Sequence, residues 1–190
     1  MVTIRTERFS DVAGRETLLD AAYGPARFTK TSERLREGRL PAEQLAFVAV
    51  HQGRLVGTVR LWHVWAGPER PALLLGPLAV HPEFRNRGIG SMLVRLAISA
   101  AHRLGHGALL LVGDASYYAR FGFAADLTAG LWMPGRYEPD RLLALELRSG
   151  ALAGARGLIG AAGALAPKPD LNVLVAADRD SHRRVMRRAA

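Results

Sequence analysis

No cysteine occurs anywhere in the 190 residues. That removes disulfides, thiolate metal sites and a cysteine nucleophile together. Lysine is almost missing as well: of 26 basic residues, only Lys30 and Lys168 are lysine, and the rest are arginine. The arginines are spread along the whole chain beside abundant alanine and glycine. They read as a compositional habit, so the net charge of +9 is not taken as a nucleic-acid patch, and no nucleic-acid partner is expected. The one dense basic cluster, HRRVMRRAA, closes the sequence. Long apolar runs are lacking too. MVTIRTERF has no hydrophobic segment after its charges, unlike a signal peptide. The weakly polar stretch 150–167 is glycine-broken and carries Arg156. No membrane partner and a cytoplasmic location are therefore expected. His102 and His106 have helical i, i+4 spacing, but Gly105 lies between them and no third ligand is evident. No metal is expected.

What is present suffices for one core: 49% of residues are hydrophobic and 23% charged. Alternation in residues 3–9 predicts an edge strand, and helices are predicted over about 11–23 and 29–38, the second ending at Gly38. LAFVAVH (45–51) and LVGTVRLWHVW (55–65), joined by the turn signal QGR, predict a hairpin. ALLLGPLAV (72–80) is read as a buried strand. From near Arg87, the residues Ile89, Leu93, Leu96, Ala97, Ala100 and Leu104 recur at helical spacing up to Gly105 or Gly107. ALLLVG (108–113) has the apolar continuity of a strand buried on both faces. A short helix over about 115–121 and strands near 123–129 and 141–148 complete an α/β fold with a mixed central sheet and flanking helices.

The sequence HPEFRNRGIGSML (81–93) crowds Arg85 and Arg87 around two glycines where a helix begins, with Arg95 further along. A helix start favours negative charge, because its first N–H groups are unpaired and carry partial positive charge. Arginine there makes sense when an external anion supplies the negative charge. A dinucleotide fingerprint would need a third glycine where Leu93 stands, and a Walker loop would need a lysine that the region lacks. Arg85-Asn86-Arg87-Gly88-Ile89-Gly90, between a buried strand and an amphipathic helix, instead suits a diphosphate. Glycines admit it to the backbone, N–H groups point at it, and arginines neutralise it.

LGPLAVHPEFRNRGIGSMLV, the Gly113-Asp114 pair, YYARFGF (117–123) and the closing LALELRSGAL together resemble the GNAT acetyltransferase superfamily, in particular a bacterial subgroup of predicted acetyltransferases. The resemblance covers roughly residues 3–150 in order. It implies the acyl-CoA N-acyltransferase fold and acetyl transfer from acetyl-CoA to a primary amine. It also implies that the cosubstrate is held by the backbone of Leu78, Ala79 and Val80 and by Arg85, Asn86, Arg87, Gly88, Ile89, Gly90 and Ser91. Pro77 fits a strand that parts from its neighbour there, since proline removes a ladder donor. The superfamily's tyrosine acid maps onto Tyr118, with Tyr117 as packing or substrate wall. Packing beside Phe121 and Phe123 is the competing reading for both. The general base stays open. LLLGPLAV carries no acid, and Asp114 is the best-placed carboxylate, although capping of the following helix is the preferred reading. His63 and His81 are further candidates, more simply read as structural.

Residues 1–150 are expected to form the N-acetyltransferase domain. Residues 151–190 form a Gly/Ala-rich extension with a basic terminal helix, for which covering the acceptor groove, packing on the sheet, a homodimer contact and a disordered tail all stay open. The acceptor is either a small-molecule or a protein amine. A catalytically inactive acyl-CoA binding or sensor module is the alternative reading.

Overall fold

The computed structural model describes residues 1–167. In chain order the elements are β1 (Val2–Thr6), α1 (Val12–Tyr23), β2 (Ala46–His51), β3 (Arg54–Ala66), β4 (Pro71–Leu75), β5 (Ala79–Val80), α2 (Ile89–Arg103), β6 (Ala108–Val112), α3 (Ala115–Ala119), β7 (Leu131–Trp132), β8 (Leu142–Glu146) and β9 (Gly157–Ala161). The sheet runs β1-β2-β3-β4-β6-β8. Its β4–β6 pair is parallel and its other neighbours along that path are antiparallel, giving the expected mixed α/β architecture.

Successive side chains of a strand point to opposite faces, so each apolar run feeds two cores. Leu73, Leu75, Leu109, Leu111 and Leu143 join Ile89, Leu93 and Ala97 of α2 on one face. Their neighbours Leu74, Leu110, Leu142 and Ala144 join Leu131, Met133 and Ile159 on the other. Both faces are covered, which is why these strands lack polar alternation. The buried stripe of α2 is Ile89, Leu93, Val94, Ala97, Ala100 and Ala101; Leu104 lies beyond the helix and is 44% exposed.

Three segments differ from expectation. The helix predicted over 29–38 is instead two short 3-10 turns, Pro25–Thr29 and Thr31–Leu35, which buries only Leu35. The strand predicted near 123–129 is a bridge at Ala124 and a 3-10 turn, Asp126–Thr128, with β7 following. The single strand 72–80 is divided: β4 pairs with β3 at 61–65, the chain breaks at Gly76-Pro77, and β5 rejoins β3 at Gly57 and Thr58. From the glycine–alanine stretch, β9 pairs with both β3 and β7. The predicted C-terminal helix lies outside the described residues.

Candidate active site

The break at Gly76-Pro77 decides where a site can form. β4 pairs with β6 at Leu73 and Leu74, whereas β5 pairs with β3 alone, so the sheet opens beyond Leu75. Leu78 falls in the gap, and its N–H donates to no acceptor among the described residues, while its carbonyl accepts the Tyr23 hydroxyl. Ala79 turns its side chain into the small core with Leu18 and Leu19. It therefore offers the site only backbone.

The loop into α2 lies just beyond. Asn86 (φ 61°) and Gly88 (φ 75°) adopt left-handed conformations, which turn the chain sharply into the helix. Arg85, Asn86, Arg87 and Gly88 are exposed, and the Arg87 guanidinium lies 5.0 Å from the Phe84 ring centre. Among the described residues, the N–H groups of 86–91 donate to no acceptor, and no acidic side chain occupies the first turn of α2. Ile89 is buried and contributes only its N–H, and Ser91 is half-buried. A Cβ on Gly90 would come within 3.1 Å of the Tyr117 hydroxyl and near Val80 and Leu78. This turn, β5 and Tyr117 therefore form one surface. It fits a diphosphate-bearing cosubstrate: unpaired donors, adjacent guanidiniums and glycine where the backbone must be approached.

Tyr117 and Tyr118 point to different places. Tyr117 reaches the start of α2, and Tyr118 lines a cavity of about 360 Å³ with Pro77, Leu78, Gly113 and Asp114. The ring of Tyr118 packs edge-on to Phe123 at 5.8 Å, and its hydroxyl makes no hydrogen bond among the described residues. Core packing and cavity lining thus coexist in one side chain. Burial, and then the neighbouring Tyr23 and Tyr117, push the Tyr118 phenol well above its ordinary value.

Asp114 accepts from the Ser116 hydroxyl at 2.5 Å and from the Tyr117 N–H at 2.8 Å, capping α3. Those hydrogen bonds, Ser116 first, hold its carboxyl below the usual range. A capped, weakly basic carboxylate is a poor proton acceptor. His81 caps the 3-10 turn Pro82–Phe84 and contacts Arg54, and His63 stands 5.5 Å from His106, both away from the cavity lining.

The remaining cavity wall was not anticipated from sequence. Tyr23 comes from α1, Lys30 and Arg36 from the residues that flank the second 3-10 turn, and Arg60 and Trp62 from β3. Only the i, i+2 relation of Arg60 and Trp62 on one strand face gave any signal.

The acetyltransferase (GNAT) family matches residues 14–123. Over 117 residues the chain is 30% identical to the uncharacterized N-acetyltransferase YjhQ of Escherichia coli strain K12, spanning 60% of this chain and 63% of YjhQ, under two thirds of that protein. The crystal structure of the GNAT family N-acetyltransferase YhbS from Escherichia coli in complex with CoA aligns with a TM-score of 0.70 at 29% identity, covering 85% of this chain and 89% of that one. A GNAT family acetyltransferase from Brucella melitensis, in complex with acetyl-CoA, aligns at 0.54 and 26% identity, covering 76% and 96%. With more than half its length matched by the family, and the loop, the parted strands and the tyrosine pair in place, the chain belongs to the acetyltransferase (GNAT) family.

Proposed function

We propose that the protein transfers an acetyl group from acetyl-CoA to a primary amine, using residues 1–150 with β9 completing the sheet. The observation that carries this is the row of unpaired N–H groups at 86–91 beside the opening between β5 and β6. Those amides, with Arg85 and Arg87, hold the diphosphate, and the backbone of Leu78 and Val80 pairs with the amide-bearing arm. Acetyl-CoA supplies the acetyl group as a thioester. The Leu78 N–H, without a partner among the described residues and on the cavity wall, stabilises negative charge developing on the thioester oxygen. The acceptor nitrogen bonds to the carbonyl carbon as the carbon–sulfur bond breaks. The Tyr118 hydroxyl gives its proton to the departing sulfur and regains one from the amine through solvent, leaving an N-acetyl product and free CoA. Asp114 acts as a cap that positions α3, and so both tyrosines.

Calorimetry with acetyl-CoA tests the reading. The Arg85→Ala/Arg87→Ala double variant should bind at least about tenfold more weakly, since each charge-assisted phosphate contact contributes roughly 1.5–3 kcal/mol. Equal affinity in the double variant would sink it. Binding of acetyl-CoA with no CoA release on any amine would favour the sensor reading.

A further inference from the structure

From the charge and hydrogen bonding of the cavity wall we infer that the acceptor is a small amine carrying an anionic group, held at the Lys30–Arg36–Arg60 end with its amine toward Tyr118. This deepens the acetyl-transfer reading and rests on it. Five cationic side chains line the cavity against three carboxylates, and three of the five are themselves paired: Arg27 with Glu16 and Asp20, Arg36 with Glu33, and Arg141 with Glu138. The carboxylates are already engaged: Glu16 by Arg15 and Arg27, Glu33 by Arg36, and Asp114 by its helix cap. Lys30 has neither an ion pair nor a hydrogen bond among the described residues. Its ammonium is pushed below its ordinary value by burial and then by the nearby Arg36 and Arg141.

Arg60 is the more telling group. Its side chain is only 19% exposed, yet it donates no hydrogen bond among the described residues. Nε is enclosed 3.3 Å from Glu7 Oε2 but misaligned for a hydrogen bond. Arg60 is among the residues that line the cavity. The Glu7 carboxylate beside Arg60 is shared with Arg15, so a half-buried guanidinium keeps donors that an anion arriving from outside would take up. Arg36 and Arg60 flank the same indole, with their guanidinium carbons 5.3 and 5.1 Å from the Trp62 ring centre. Arg36 is committed to Glu33 through Nε and one terminal nitrogen, so Arg60 and Lys30 are the groups left to meet carboxylate or phosphate oxygens. The volume, about 360 Å³, falls in the range of roughly 300–1,000 Å³ typical of small-molecule sites. A cationic acceptor such as a polyamine would meet repulsion along the same wall.

The test is calorimetry on the CoA-saturated chain with matched probes: L-phenylalanine against L-phenylalaninamide, and phosphoethanolamine against ethanolamine. The anionic member of at least one pair should bind about 10- to 100-fold more tightly, as expected for charge-assisted hydrogen bonds. That preference should collapse in Arg60→Gln and weaken in Lys30→Met, a change at an exposed position that leaves the core intact. Which pair shows the preference tells carboxylate from phosphate. Equal or undetectable binding within both pairs overturns the inference, as does a preference untouched by both variants. Failure of CoA itself to bind is read beforehand and removes the acetyl-transfer reading instead.

Discussion

At the residue scale, the proposed mechanism puts the proton transfer on Tyr118. A buried phenol resists ionisation because its anion loses hydration, so the shift above its ordinary value of 10.0 favours the protonated form. The sign matters: the proton is retained through neutral and mildly alkaline pH, and the acid is lost only above pH 10. Tyr118→Phe should lower kcat by roughly 10²–10⁴-fold, the range for positioned proton transfer, with acetyl-CoA affinity unchanged. The phenolate ultraviolet absorbance of the parent minus that of the variant should show no Tyr118 ionisation below pH 10. A variant with full turnover would move the acid elsewhere. Asp114 shows the converse at the same scale. Its low proton affinity and cap contacts come from a local turn, in line with the capping reading of Asp114 from sequence.

At the scale of elements, the site depends on how β6 ends and α3 begins. Gly113 is the hinge, and a Cβ there would lie 2.3 Å from Tyr118 Cε2 and 2.8 Å from Cδ2. The ring therefore lies across backbone that only glycine leaves open. Gly113→Ala should displace the ring and cut kcat by about 10- to 100-fold, since misplacement by an ångström carries that order of cost. CoA affinity should hold, because the loop at 86–91 belongs to another element. Parallel loss of kcat and CoA binding would show that the two elements are not separable. The division of residues 72–80 into β4 and β5 belongs here too. Pro77 signalled a disturbed strand, but that both halves pair with the same partner is a matter of register along β3.

For the whole molecule, the proposed cosubstrate surface joins β5, the start of α2 and Tyr117, so its occupation should stabilise the fold as a unit. Acetyl-CoA at a hundredfold excess over Kd contributes about 2.7 kcal/mol, which for a chain of this size raises Tm by about 5–10 °C. Differential scanning calorimetry should show that rise in the parent and little of it in the Arg85→Ala/Arg87→Ala variant. Much of this architecture was legible beforehand. α1, β2, β3, α2, β6 and α3 came from periodicity and turn residues, and the arginine–glycine turn proposed to hold the diphosphate came from arginines placed against a helix start, because those signals are local. The helix expected over about 29–38 is 3-10 turn instead because Ser and Thr caps suit either, and β9 was hidden by glycine and alanine, whose weak patterning leaves strand formation to the partner strand. The order of residue types along the chain by itself determined the α/β class and the arginine–glycine turn at the start of α2, while Tyr118 was singled out through the family resemblance. Only the tertiary structure decided the parting of β5 from β6, the separate directions of Tyr117 and Tyr118, and the convergence of Lys30, Arg36 and Arg60 on one cavity. Those depend on distant segments meeting, and burial and charge at a point in space are not properties of any one stretch of chain.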